Sequence, residues 1–169
     1  ALRIGLVVGN TPGSDLALRE DKIKGYKHFA NKIWNVTRFA LDNFSDADFS
    51  APPKLVNAHR AHLDTLAQTV QEVTKQLDQH RIDLAADCIY HYFWHTFADI
   101  VIEEVKIPLK EGDAPTRQSA QWLVYTILST SLKLLHPFMP FITEIIWQDM
   151  PAGAHKTQEM LMVEDWPKE

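Results

Sequence analysis

Cysteine is almost missing. Cys88 is the only one in 169 residues, which excludes an internal disulfide and a cysteine-built zinc site. Its flanks, AADCIYHYF, read as buried helix, not as the exposed electropositive setting that activates a thiol. A reducing, cytoplasmic location is therefore expected. Long hydrophobic runs are missing too: no stretch of about 18 apolar residues occurs, so no membrane-spanning helix is expected. The N-terminus, ALRIGLVVG, lacks the charged-then-apolar leader of a secreted chain. Positive charge is in deficit, with 17 Lys and Arg against 22 Asp and Glu and a net charge of −5. That excludes the whole-surface attraction by which strongly basic proteins hold nucleic acid, and any such binding must be local.

Catalytic signatures are also absent. No G-x-S-x-G presents a nucleophile on a tight turn. The glycine-bearing GNTPG at 9–13 lacks the Gly-Lys-Ser/Thr ending that holds phosphates and magnesium. His91 and His95 share a helix face, as do His59 and His62, yet zinc needs further ligands and neither H-E-x-x-H nor Glu-x-x-His occurs. Pairing of these histidines with Asp87 and Asp99, or with carbonyls, is the simpler expectation.

What remains is helical. Gly and Pro cluster in GNTPGSD (9–15), SAPP (50–53), KEGDAP (110–115) and MPAGAH (150–155), with long unbroken stretches between. From Lys54 to His80 the residues Leu63, Leu66, Val70, Val73 and Leu77 form one apolar stripe. Ile82 to Lys106 is apolar almost all round, the pattern of a central helix, with Asp83, Asp87, His91, His95, Asp99 and Glu103 as a four-residue ridge. Asp113 is a good N-cap, with Pro115 in the first turn, for a helix that His136-Pro137 ends or bends. An all-α antiparallel bundle of four to five main helices follows.

The first main helix, about Asp21 to Phe44, carries NKIWNVTRF. Its wheel sets Ile23, Tyr26, Ala30, Ile33, Trp34, Thr37 and Leu41 on one side, with Trp34 read as core. Lys24, Lys27, Asn31, Asn35 and Arg38 share the other. Amides can read base edges and cations can hold phosphates, so this strip suits an unpaired RNA loop. The same pattern also describes the plain solvated face of an amphipathic helix, or a ridge that docks another protein.

The order of motifs favours RNA. ALRIGLVVGNTPGSDLALREDKIKGYKHFANKIWNVTRFAL, then YHYFWHTFADIVIEEVK, LLHPFMPFITEIIWQDMP and LMVEDWPKE together resemble the C-terminal half of class I aminoacyl-tRNA synthetases of the valine, isoleucine and leucine group. TPGSDL, with NKIWN followed by RF, is most similar to the valine-specific branch, and the isoleucine-specific branch is next. The resemblance implies a stem-contact segment over 1–20, a helical anticodon-binding domain over 21–150 and a C-terminal extension over 151–169. It implies that Asn31 and Asn35 face the anticodon loop, sets a base-stacking reading of Trp34 beside the preferred core one, and implies that Glu103 to Lys110, including Lys106, form a second wall where relatives place aromatics. HPFMPFITE is read as structural, with Phe138, Phe141 and Ile142 filling the base of the bundle. The KMSKS and HIGH motifs of the family's ATP site do not occur here. No cofactor is expected in this region, since ATP and magnesium belong to the catalytic domain of the same polypeptide. The implied partner is tRNA, through its anticodon loop and inner stem, bound by a monomer and away from membranes.

Overall fold

The computed structural model describes residues 1–9, 13 and 19–168. Among them the elements are α1 (Leu2–Val7), α2 (Glu20–Asp42), α3 (Asn57–Asp78) and α4 (Ile82–His91), then a π-helical segment, Tyr92–Val101, that leads without a break into α5 (Ile102–Glu111). They are followed by α6 (Ala114–Leu135), α7 (Pro140–Asp149) and a 3-10 turn, Leu161–Val163. Among the described residues there is no β-strand, only an isolated bridge between Gly153 and Lys156. None of their helices is long and apolar enough to cross a membrane.

Local chemistry sets the helix ends. Glu20 and Asp21 occupy the first turn of α2, where carboxylates complement the helix dipole. As expected, Asp113 caps α6: its carboxylate accepts from the Thr116 N–H at 3.1 Å, with proline in the first turn. α3 closes with His80 at φ 59°. The His80 N–H bonds to the Leu77 carbonyl at 2.9 Å and the Arg81 N–H to the Gln76 carbonyl at 2.8 Å, the paired bonds of a left-handed helix cap.

The four long rods alternate in direction. Tyr26 meets Tyr90 and Phe29 meets Phe93, so α2 and the α4–α5 rod run the same way. His59 lies 2.7 Å from Ser119, and His62 2.7 Å from Glu104, which sets α3 alongside α6 and antiparallel to the α4–α5 rod. α6 packs against α2, α3, α4, the π segment, α5 and α7, and every residue from Ser119 to Leu132 is buried. The central helix is thus α6, not the Ile82–Lys106 stretch. Its Ser and Thr side chains hide this in the sequence, because a hydroxyl can bond back to its own helix; Ser129 donates to the Tyr125 carbonyl at 2.7 Å.

Two further expectations are corrected. Trp34 is 41% exposed, because the core face of α2 centres on Phe29, Ile33, Val36 and Ala40 and leaves Trp34 at its edge. Phe141 is 82% exposed: α7 turns Thr143, Ile146 and Trp147 inward, and Phe141 falls on its other side.

Residues 151–168 fold back on the bundle. The Ala154 N–H bonds to the Phe49 carbonyl at 2.8 Å, and the Trp166 indole N–H to Thr74 Oγ1 at 2.9 Å. Lys156 Nζ donates to the carbonyls of Trp147 and Met150 at 2.7 Å each, satisfying the end of α7. Gly153 makes this closure possible. A Cβ there would stand 2.6 Å from the Phe49 carbonyl oxygen and 2.7 Å from the Tyr125 hydroxyl.

Candidate nucleic-acid interface

α2 is a helix with two unlike sides. Its inner side buries Phe29, Ile33, Val36 and Ala40. Phe29 alone touches Tyr90 at 4.7 Å between ring centroids, Phe93 at 5.8 Å and Trp94 at 5.9 Å, so the helix is clamped against the π segment by an aromatic cluster. Its outer side presents Lys24, Lys27, Asn31, Asn35 and Arg38, all exposed, at spacings of three and four.

Those five side chains differ in what holds them. Lys24 pairs with Glu20 at 3.0 Å. Lys27, Asn31, Asn35 and Arg38 have no side-chain hydrogen bond or ion pair among the described residues. Two amides and two cations thus project from the rod with no bond spent on any described residue. That set can take base edges on the amides and phosphates or base faces on the cations. Lys106, the sixth predicted residue, is half-buried on α5 and pairs with Glu103 one turn earlier, so its charge is locally balanced.

The rod is keyed in register at two places. Lys32, on its flank, bonds Asp99 of the π segment at 2.7 Å and lies 5.6 Å over the Trp94 ring. The hydrogen bond from Lys32 holds the Asp99 carboxyl below its ordinary range against partial burial, helped by the Lys32 charge and by His95. At the far end, Gln121 of α6 donates to the Asn43 carbonyl at 2.8 Å and to Asp46 at 2.9 Å. Arg117 donates to the Leu109 carbonyl at 2.9 Å and to Asp46 at 3.2 Å. The ends of α2 and α5 are thereby tied to the start of α6, and Arg38 and Lys106, each about a turn from those ends, lie at the same end of the bundle.

Glu103 to Lys110, expected as a second wall, has no aromatic side chain and exposes Ile107 among Glu103, Glu104 and Lys110. Ile107 is 69% exposed and Ile100, just before, 47%. Ile100 belongs to the stretch read as apolar all round and covered by neighbours, and its exposure departs from that reading; Ile107 was not singled out, since one isoleucine beside a proline has no periodic signature, and the exposed Trp34 was placed on the wrong side of the wheel.

The histidines make pairs. His91 lies 3.5 Å from Asp87 and His95 3.5 Å from Asp99, and the two rings stack at 5.5 Å. Among the described residues no three metal-ligating side chains come together. Burial pushes the Cys88 thiol up, away from the reactive thiolate. Of the expected stem-contact segment 1–20, the stretch TPGSDL lies, apart from Gly13, outside the described residues.

Residues 59–169 match the family described as the anticodon-binding domain of tRNA ligase. That match begins beyond α2. Whole-chain similarity includes it: a valine–tRNA ligase of Carboxydothermus hydrogenoformans is 39% identical over 99% of this chain. Those of Geobacter sulfurreducens and Thermotoga maritima are each 38% identical over 99%. The chain spans 19% of the length of the first two of these relatives and 18% of the third.

Proposed function

The chain belongs to the family of tRNA-ligase anticodon-binding domains, and from that premise we propose that it reads the anticodon loop of a valine tRNA as one region of a longer valine–tRNA ligase. The observation that carries the reading is the outer side of α2, where Lys27, Asn31, Asn35 and Arg38 are exposed and, among the described residues, unpartnered, on a helix held at its middle through Lys32 and at its C-terminal end through Gln121. Unpaired nucleotides offer the base edges and faces that such groups bind. The net charge of −5 does not oppose this, because fitted hydrogen bonds and stacks at a single-stranded loop supply specificity and a local pair of cations supplies steering. Lys24 and Lys106, each beside a carboxylate, contribute less charge and act at the edges of the contact. The relatives are valine–tRNA ligases by name, which favours valine over isoleucine.

In this reading ATP and magnesium serve the catalytic domain of the same cytoplasmic polypeptide, and this region supplies recognition. The protein acts as a monomer. Residues 1–169 alone bind tRNA weakly, since a second contact on the acceptor stem raises the effective concentration of the first.

The test uses the full-length enzyme. Asn35→Ala and Arg38→Ala are expected to lower charging of valine tRNA by about fivefold or more each, for the loss of about 1–3 kcal/mol of base or phosphate contact, while ATP-dependent activation of valine stays near wild type. Equal loss in both assays would mean that the substitutions damage the fold, and unchanged charging would reject the reading in favour of a protein-docking ridge.

A further inference from the structure

α2 and α5 run the same way and stop at the same end of the bundle, and α6 is the long helix packed against both. The distance between their last turns is therefore set through the start of α6. Two side chains there, Arg117 and Gln121, are four residues apart and share one face. Each bonds the free carbonyl at the end of a different helix. Arg117 donates to that of Leu109, in the last turn of α5, and Gln121 to that of Asn43, the residue after α2.

Both side chains also reach one atom. Asp46 Oδ1, in the loop after α2, accepts from Gln121 at 2.9 Å and from Arg117 at 3.2 Å. Gln121 is buried, where an amide left without an acceptor is costly. The Asp46 side chain is 59% exposed, and an ion pair that open adds little stability. Its contribution is geometric: one oxygen fixes two donors, and through them the ends of two helices.

We infer that Asp46, Gln121 and Arg117 are positioning residues for RNA recognition. The shared carboxylate oxygen holds the ends of α2 and α5 at one separation, and so sets Asn35 and Arg38, within two turns of the end of α2, at a fixed distance from α5. The inference rests on the reading that the outer side of α2 meets the anticodon loop. It carries a sign that plain electrostatics reverses. Removing a carboxylate beside a polyanion tightens RNA binding through charge alone, whereas removing the shared acceptor frees the helix ends and weakens it.

The experiment uses the full-length enzyme. Asp46→Ala is expected to raise the KM for valine tRNA about threefold to tenfold, with kcat and ATP-dependent valine activation near wild type. Asp46→Asn keeps an acceptor oxygen in the same place and is expected to stay near wild type. Arg117→Lys keeps the charge but loses the planar fork that reaches Leu109 and Asp46 together, and is expected to follow Asp46→Ala. An unchanged or lower KM in Asp46→Ala, or an equal rise in Asp46→Asn, would overturn the inference. Asn35→Ala, measured beside them, separates this role from the underlying reading. If Asn35→Ala weakens charging and Asp46→Ala does not, only the positioning role falls; if neither does, the reading falls and this role with it. Spin labels at the exposed positions Asp42 and Lys110, without tRNA, read the geometry directly. One narrow distance in wild type that broadens in Asp46→Ala is expected, and an unchanged distribution would overturn the inference whatever the charging result.

Discussion

Among the described residues Asn35 and Arg38 have no polar partner, and a polar side chain that the fold leaves unpaired is one whose hydrogen bonds remain for a ligand. Gly153 is the opposite case, a residue defined by crowding. Replacing it with alanine drives a methyl group against the Phe49 backbone and the Tyr125 hydroxyl, whose ring stacks on Phe49 at 4.1 Å. Gly153→Ala is therefore expected to destabilise the fold by about 1–3 kcal/mol, the usual cost of overpacking, measured by urea unfolding; a stability equal to wild type would show that the C-terminal return is looser than drawn. The polar strip was legible in the sequence because a 3.6-residue period sorts residues by side. Trp34 and Phe141 were not, since an aromatic at the edge of an apolar arc is buried or exposed according to neighbours the period does not name.

At the level of elements, helix existence and polarity were readable, and the interior of the α4–α5 rod was not. Aspartates and histidines four apart drift around an α-helix, yet His91, His95 and Asp99 stay aligned and touching here. The same spacing brings Asp87 and His91 to 3.5 Å inside α4, so residues four apart meet on both sides of the change to π-helical bonding. The burial of α6 was masked by Ser119, Thr126, Ser129, Thr130 and Ser131, which count as polar in a pattern but pack as small groups. Helix ends yield a second prediction. His80 holds φ 59° at the α3 cap, a conformation that glycine adopts without strain. His80→Gly should raise stability by up to about 1 kcal/mol, the left-handed strain of a side chain less the added flexibility of glycine when unfolded. A fall in Tm would show that the imidazole itself contributes to the cap.

For the molecule as a whole, pH gives a signed expectation. Burial holds His59, His136 and His155 below their ordinary value of 6.5. The folded chain therefore binds fewer protons than the unfolded one, so stability is full above pH 6.5 and falls as pH drops through the lower folded values. Asp99, held down by Lys32, adds a second decline below its ordinary 3.8. So does Glu164, where burial is outweighed by bonds from Thr157 and Gln158 and by the Lys133 charge, below its ordinary 4.5. Thermal melts should show Tm level above neutrality and decreasing below 6.5; a Tm that rises on acidification would contradict the assigned burial. The placement of the α2 strip opposite the bundle core is the claim on which the functional account stands, and nuclease protection of a valine tRNA by the full-length enzyme tests it most directly. Wild-type protein should shield the anticodon loop, and Asn31→Ala/Asn35→Ala/Arg38→Ala should lose that shielding while still protecting the acceptor stem; an unchanged anticodon footprint would contradict it.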